Sequence, residues 1–210
     1  LKLIESLLAE SPKHEGVLLA ACSGFTQYSY AFVKEEADEK EDADLPAADA
    51  ARARAKKLFL RARGYGLRGL ELRHAGFEAA LRRNPKEAVA TAAKRDVPLL
   101  FWTAASWGAA ISVGKDDPEL LSDQLIVEAL LDRALALDEA FDQGAIHSAL
   151  ISYEMVRRSA SGDPAERARQ HFVRVLELSK GMLASPFVSL AEAVAVEKQD
   201  KVEFESLLQK

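Results

Sequence analysis

Few residues in this chain are of types and spacings that do chemistry, and most of them fit packing better than catalysis. Gly64-Tyr-Gly-Leu-Arg-Gly69 matches GxGxxG letter for letter. A dinucleotide site uses that pattern between a strand and a helix N-terminus, where bare backbone N–H groups meet a pyrophosphate. Here the twelve residues before it, Arg52 to Arg63, read as helix, and no following strand supplies a ribose-binding acid. The glycines are expected to admit a close helix crossing or a kink, despite about 1 kcal/mol of helix propensity lost at each. The histidines, His14, His74, His147 and His171, share no metal-ligand spacing, and no HExxH occurs. No Ser or Cys nucleophile has a plausible base nearby in sequence. The expected class is therefore not an enzyme, and no cofactor or metal is expected.

What remains is an aromatic constellation. Trp102 and Trp107 lie between small residues, Ala104, Ala105, Ser106, Gly108, Ala109 and Ala110. A helix surface of this kind lets neighbouring backbones come close around large indoles. Two readings follow. In the first the indoles simply fill the core. In the second Trp102 and Trp107 wall an apolar cavity with Phe25, Tyr28 and Tyr153, and Gln27, Ser106 and Glu154 supply its sparse polar groups. His147 shares a helix face with Ile151 and Glu154 while Tyr153 projects elsewhere. A satisfied core or interface histidine is its ordinary role, and a ligand contact the sharper one.

The elements that position these residues are helices. Apolar residues make up 49%, with Ala and Leu ahead of Val and Ile, which favours helix over sheet. No period-2 alternation marks a strand. Five of the seven prolines follow a capping side chain: Ser11-Pro12, Asn84-Pro85, Asp117-Pro118, Asp163-Pro164 and Ser185-Pro186. Glu87 and Glu166 complete two capping boxes. The pattern predicts about 10–11 helices: 1–10 with Leu3, Leu7 and Leu8 on one face, about 12 or 14 to 33, 47–72, 77–83, 85–94, 97–113, 118–137, 142–158, 164–179, 186–196, and a last one from Asp200. The 34–46 segment reads as an acidic, solvated helix end and loop.

The formal net charge is -5, and Lys34 to Asp44, with seven carboxylates and two lysines, accounts for all of it. The remainder is neutral, so no basic field for nucleic acid is present. The basic helix that follows, with Arg52, Arg54, Lys56, Lys57, Arg61, Arg63 and Arg68, is expected to compensate the acidic segment locally; a partner-binding surface is the alternative. Cys22 is the only cysteine, so no intramolecular disulfide forms. Leu19-Ala-Ala-Cys22 imitates a lipoprotein cleavage box, but Glu10, Lys13, His14 and Glu15 interrupt the apolar run it needs, and Cys22 is expected to be buried in a helix. No apolar run approaches the roughly 18 residues of a membrane span. Both ends fall inside amphipathic patterns and read as truncated.

Internal similarity points to repeats within a single domain spanning 1–210. Arg133-Ala-Leu-Ala-Leu137 and Arg174-Val-Leu-Glu-Leu178 lie 41 residues apart, and the N-terminal helices align 128 residues before the middle ones, Gly16 with Gly144. The expected architecture is an all-α, diverged tetratricopeptide-like (TPR-like) helical repeat.

Several ordered segments carry a resemblance: GFTQYSYAFV (24–33), RGYGLRGLELRHAGF (63–77), DVPLLFWTAASWGAAIS (96–112), KDDPEL (115–120), GAIHSALISYE (144–154) and ASPFVSLAEAVAV (184–196). Together they resemble the T-component of TRAP transporters, the TatT family, along nearly the whole chain. The resemblance implies a non-catalytic, extracytoplasmic (periplasmic), usually lipid-anchored helical protein that works beside the substrate-binding P-component. It also implies a homotrimer and passage of a small hydrophobic or carboxylate ligand through a lumen in each protomer. The anchor cysteine and signal of the family are absent here, and Cys22 does not replace them. Membrane association would come only through that anchor. No family rule fixes the ligand contacts, so Phe25, Gln27, Tyr28, Trp102, Ser106, Trp107, His147, Tyr153 and Glu154 are chosen on structural grounds. The alternative is a TPR scaffold that holds a peptide or partner protein in its concave groove; the aromatic and small residues argue against the Asn, Lys and Arg such a groove uses.

Overall fold

The computed structural model describes residues 1–157 and 159–210. Among them every regular element is helical and none is a strand, as an all-α helical-repeat fold requires. Thirteen α-helical segments occur among the described residues, more than the 10–11 expected because Glu35–Lys40 in the acidic segment is also helical and the predicted 118–137 helix divides in two. Contacts group the chain into two compact units, Leu1–Ala134 and Leu135–Lys210.

The first unit opens with α1 (Lys2–Glu10), followed by α2 (Glu15–Tyr28). Leu8 is buried and Ile4 packs beside it, whereas Leu3 and Leu7 are 74% and 45% exposed. The inward stripe thus runs through positions 4 and 8, one residue round from the expected Leu3–Leu7 edge. No helix starts at Ser11-Pro12; His14 is the N-cap of α2, its Nδ1 accepting from the Val17 N–H at 3.2 Å. The chain then stays helical through a wide turn at Ser29–Lys34 into α3 (Glu35–Lys40). The acidic segment, expected as a solvated helix end and loop, is helix up to Lys40 and leaves the helix only at 41–44. The i,i+4 pairs Lys34–Asp38 and Lys40–Glu36 support it.

Asp44 caps the long α4 (Leu45–Arg73) by accepting from the Ala47 N–H at 3.1 Å. Arg52 pairs with Glu41 at 2.8 Å and Arg54 lies 3.9 Å from Glu36, the local compensation expected. Lys56 instead reaches Asp117, and Arg68 donates to the Pro12 carbonyl. Beyond α4 come α5 (Phe77–Arg83), α6 (Pro85–Ala90) and the Trp-bearing α7 (Val97–Val113). The expected 118–137 helix is broken into α8 (Pro118–Ser122) and α9 (Gln124–Leu137), with the break at Asp123; the boundary between the units falls in the last turn of α9.

Helices α2, α4 and α7 pack on one another to make the heart of this unit, and the GxGxxG glycines allow it. A Cβ on Gly66 would lie 2.1 Å from Thr103 Oγ1 and 2.9 Å from Cys22 Sγ, and one on Gly69 would lie 2.8 Å from Leu99 Cδ2. Gly64 meets nothing within 4 Å. The motif is a crossing point inside a helix at two of its three glycines. Cys22, fully buried in this seam, has its thiol pKa pushed up to about 12 by burial.

In the second unit α10 (Ala145–Tyr153), α11 (Pro164–Ser179), α12 (Ser185–Leu190) and α13 (Lys201–Leu208) enclose Ile151, Ala168, Val175, Leu190 and Val194. Helix α10 starts three residues later than expected because Asp142, Gln143 and Gly144 are all left-handed, with φ of 45°, 57° and 89°. Gly144 is needed there twice over, since a Cβ would also sit 3.2 Å from Val175 Cγ2. The helix also ends at Tyr153, where a turn follows, short of the expected end at Arg158, which itself lies outside the described residues. Helix ends at Leu137 and Ser179, and starts at Ala145 and Ser185, keep the 41-residue spacing to within one residue.

Candidate functional site

The nine residues singled out from sequence fall into both units: Phe25, Gln27, Tyr28, Trp102, Ser106 and Trp107 in the first, His147, Tyr153 and Glu154 in the second.

Phe25 and Trp102 do come together. Phe25 is buried in an apolar cluster with Leu8, Leu18, Ala21, Cys22, Ala62 and Tyr65, and half-buried Trp102 packs against that cluster. The Phe25 and Tyr65 rings lie 5.6 Å apart, and Arg61 stacks over Phe25 at 5.4 Å. Tyr65 donates to Glu5 at 2.6 Å; burial first and this carboxylate second raise its pKa. Tyr28 is half-buried beside Phe32, and Gln27 one position earlier is on the solvent side of α2. Ser106 is fully buried in the Gly66 seam and donates to the Thr103 carbonyl at 2.9 Å.

Trp107 is enclosed, with no exposed surface. Its Nε1–H donates to Asp123 at 3.1 Å, Arg82 reaches the same carboxylate at 2.7 Å, and Arg63 stands 3.9 Å from it. Both guanidinium groups stack on the indole, Arg63 at 4.5 Å and Arg82 at 5.7 Å from the ring centre. Burial lowers the Arg63 pKa against the pull of Asp123. Asp123, which stands at the break between α8 and α9, was not among the residues singled out from sequence. A Ser-Asp pair ahead of an apolar run was the available signal.

A second missed carboxylate is Asp96, fully buried just before α7. It accepts from Arg73 at 2.8 Å, from the Ala93 N–H at 2.8 Å, and faces His74 Nε2 at 3.1 Å. Burial opposes its charge, yet these three groups prevail and hold its pKa below the usual carboxylate range. Next to it the α5–α6 hairpin encloses a cleft of about 280 Å³, floored by Phe77, Ala80 and Ala88 and edged by His74, Arg83 and Thr91.

In the second unit His147 and Glu154 are buried and Tyr153 is half-buried, the split of faces read from sequence. His147 Nδ1 lies 2.8 Å from Nδ1 of His171. Glu154 accepts from Arg157 at 3.0 Å and also from Arg167; burial works against its charge, but the two arginines lower its pKa. No cluster of three or more His, Cys, Asp or Glu side chains suited to a metal ion occurs among the described residues. Among these residues no helix is long and apolar enough to cross a membrane.

Comparison with known proteins adds two findings. A family model described as "TRAP transporter T-component" matches residues 1–210. An uncharacterized protein of Treponema pallidum (strain Nichols) is 24% identical over 212 residues, a match that takes in 99% of this chain and 66% of that protein. The chain thus spans just under two thirds of that relative's length.

Proposed function

We propose, from the premise that this chain belongs to the TRAP transporter T-component family, that it is a non-catalytic accessory subunit of a TRAP-type solute uptake system. In this reading it works outside the cytoplasm, lipid-anchored in the full-length protein, and binds the substrate-binding P-component as a homotrimer of TPR-like protomers. A small hydrophobic or carboxylate ligand passes through a lumen in each protomer. The observation that carries the reading is the match over all 210 residues to a transporter component. Helices that cross at glycines around an aromatic cluster fit a protein that holds and passes cargo.

Ligand contact in the first unit falls to Trp102, the indole with an exposed edge, to Phe25 of the same cluster and to Tyr28 three residues on in α2. In the second unit it falls to half-buried Tyr153, with the buried His147 and Glu154 contributing from within the fold. Trp107, Ser106 and Gln27 act less directly, the first two as buried supports and the last at the surface.

The test is affinity capture from native extract with the full-length protein, followed by native mass spectrometry. Recovery of a periplasmic solute-binding protein at a stoichiometry set by a trimer is expected. Trp102→Ala should reduce retention of a co-purifying small molecule while the melting temperature moves little. Capture of no solute-binding protein, with a monomer that carries no small molecule, would overturn the reading.

A further inference from the structure

The two histidines of the second unit make an arrangement that packing alone does not require. His147 on α10 and His171 on α11 approach through the same atom type, Nδ1 to Nδ1 at 2.8 Å, with ring centres 5.0 Å apart and planes tilted by 46°. Their side chains are only 8% and 18% exposed. Outside the pair stand two carboxylates: Glu139 Oε2 lies 3.5 Å from His147 Nε2, and Glu154 Oε1 lies 3.9 Å from His171 Nε2. The order is Glu139, His147, His171, Glu154.

Two Nδ1 atoms this close share one proton, because one ring must donate and the other must present a lone pair. A ring that carries protons on both nitrogens can still donate to its neighbour. Once both rings do so, two N–H groups and two positive charges face each other at 2.8 Å, and the contact cannot survive. We propose that the His147–His171 pair is a proton-operated latch between α10 and α11, closed while one Nδ1 is bare and opened when both are protonated.

The surroundings decide where it opens. Glu139 precedes α10 and is held by Arg174 of α11, which in turn pairs with Glu177 at 2.6 Å. Glu154 lies at the end of α10, between Arg157 and Arg167. Of the other segments packed on α10, Ser185–Leu190 has no ionisable side chain, whereas Phe141–Gly144 carries Asp142 and Ala191–Ala195 carries Glu192, both exposed. Each carboxylate next to the pair is thus also engaged by arginine, which weakens its support for a second imidazolium. Burial, the largest influence, lowers the His147 pKa, and Glu139 only partly opposes it. The latched state therefore binds fewer protons than the open one. Its stability is complete above the ordinary histidine pKa of about 6.5 and falls as pH drops below it. Tyr153 and Glu154 sit on the helix that this would loosen. The inference stands on the second unit alone and does not depend on the transport reading.

The experiment is an NMR titration of ring-¹⁵N-labelled histidines in the full chain, with hydrogen exchange of the α11 amides alongside. The expected result is two coupled steps for His147 and His171, separated by more than about one pH unit. Opening of α11 should rise by roughly tenfold per pH unit within the window, after correction for intrinsic exchange. His171→Gln, which can still bond to His147 without adding charge, should abolish that dependence. Independent single-step titration of the two rings near pH 6.5 overturns the proposal. So does equal pH dependence of α11 opening in wild type and His171→Gln. The wild-type titration decides the matter even if the variant fails to fold.

Discussion

Gly66→Ala is the sharpest test of how the first unit is assembled, because it sets one methyl group against a helix crossing. In an unobstructed helix the change stabilises by up to about 1 kcal/mol, since alanine loses less backbone entropy on folding. At Gly66 the new Cβ would lie 2.1 Å from Thr103 Oγ1, 3.1 Å from Thr103 Cβ and 2.9 Å from Cys22 Sγ. Rotating the hydroxyl relieves only the first of these contacts, so α4 must move away from α7 and α2. Overpacking of this kind typically costs about 1–3 kcal/mol. Net of the propensity gain, a loss of up to about 2 kcal/mol is expected. With a urea slope of roughly 2 kcal/mol/M, the midpoint should drop by up to about 1 M at unchanged slope. Gly64→Ala makes the same chemical change two residues away, where nothing lies within 4 Å, and should raise the midpoint. Thr103→Ala on top of Gly66→Ala should recover part of the loss, a coupling that a double-mutant cycle reads directly. If Gly66→Ala is as stable as Gly64→Ala, the reading of GxGxxG as a crossing point is refuted.

Two further outcomes follow from the buried carboxylates. Asp123→Asn leaves Arg63 and Arg82 on the indole without a counter-charge, and should cost about 2 kcal/mol in urea unfolding while shifting Trp107 emission, whose Nε1–H donates to that carboxylate. The folded-state pKa values of Asp96 and Glu154 are lowered, so the unfolded chain binds more protons as the medium becomes acidic. Their stabilisation is present above the ordinary carboxylate pKa of about 4 and is lost as pH falls through the lower folded values. Asp96→Asn should therefore flatten the acid limb of melting temperature against pH, and an unchanged limb would contradict the assignment.

Helix identity was legible wherever a cap and a period agreed. Asn84, Asp117 and Asp163 accept from backbone N–H groups as their sequence context implied, and α7 and α11 fall where the apolar pattern put them. Ser11 misled because a cap needs the following residues to turn helical, and the chain delays until His14 supplies an acceptor. The acidic stretch is largely solvated, as its charge density implied, but i,i+4 lysines carry the helix further into it than the pattern alone marked. The candidate site was harder for a different reason. Small residues around Trp102 and Trp107 announce close packing but not which indole keeps an open edge. That is decided by Asp123, Arg63 and Arg82, from three separate places in the chain. His147 and His171 stand 24 residues apart, with no periodicity to join them, and only the antiparallel return of α11 along α10 brings their rings together. What sequence spacing encodes is the interior of one helix or turn. The groups that hold charge in this protein are assembled between helices, so a single chain read in order gives their types but not their partners.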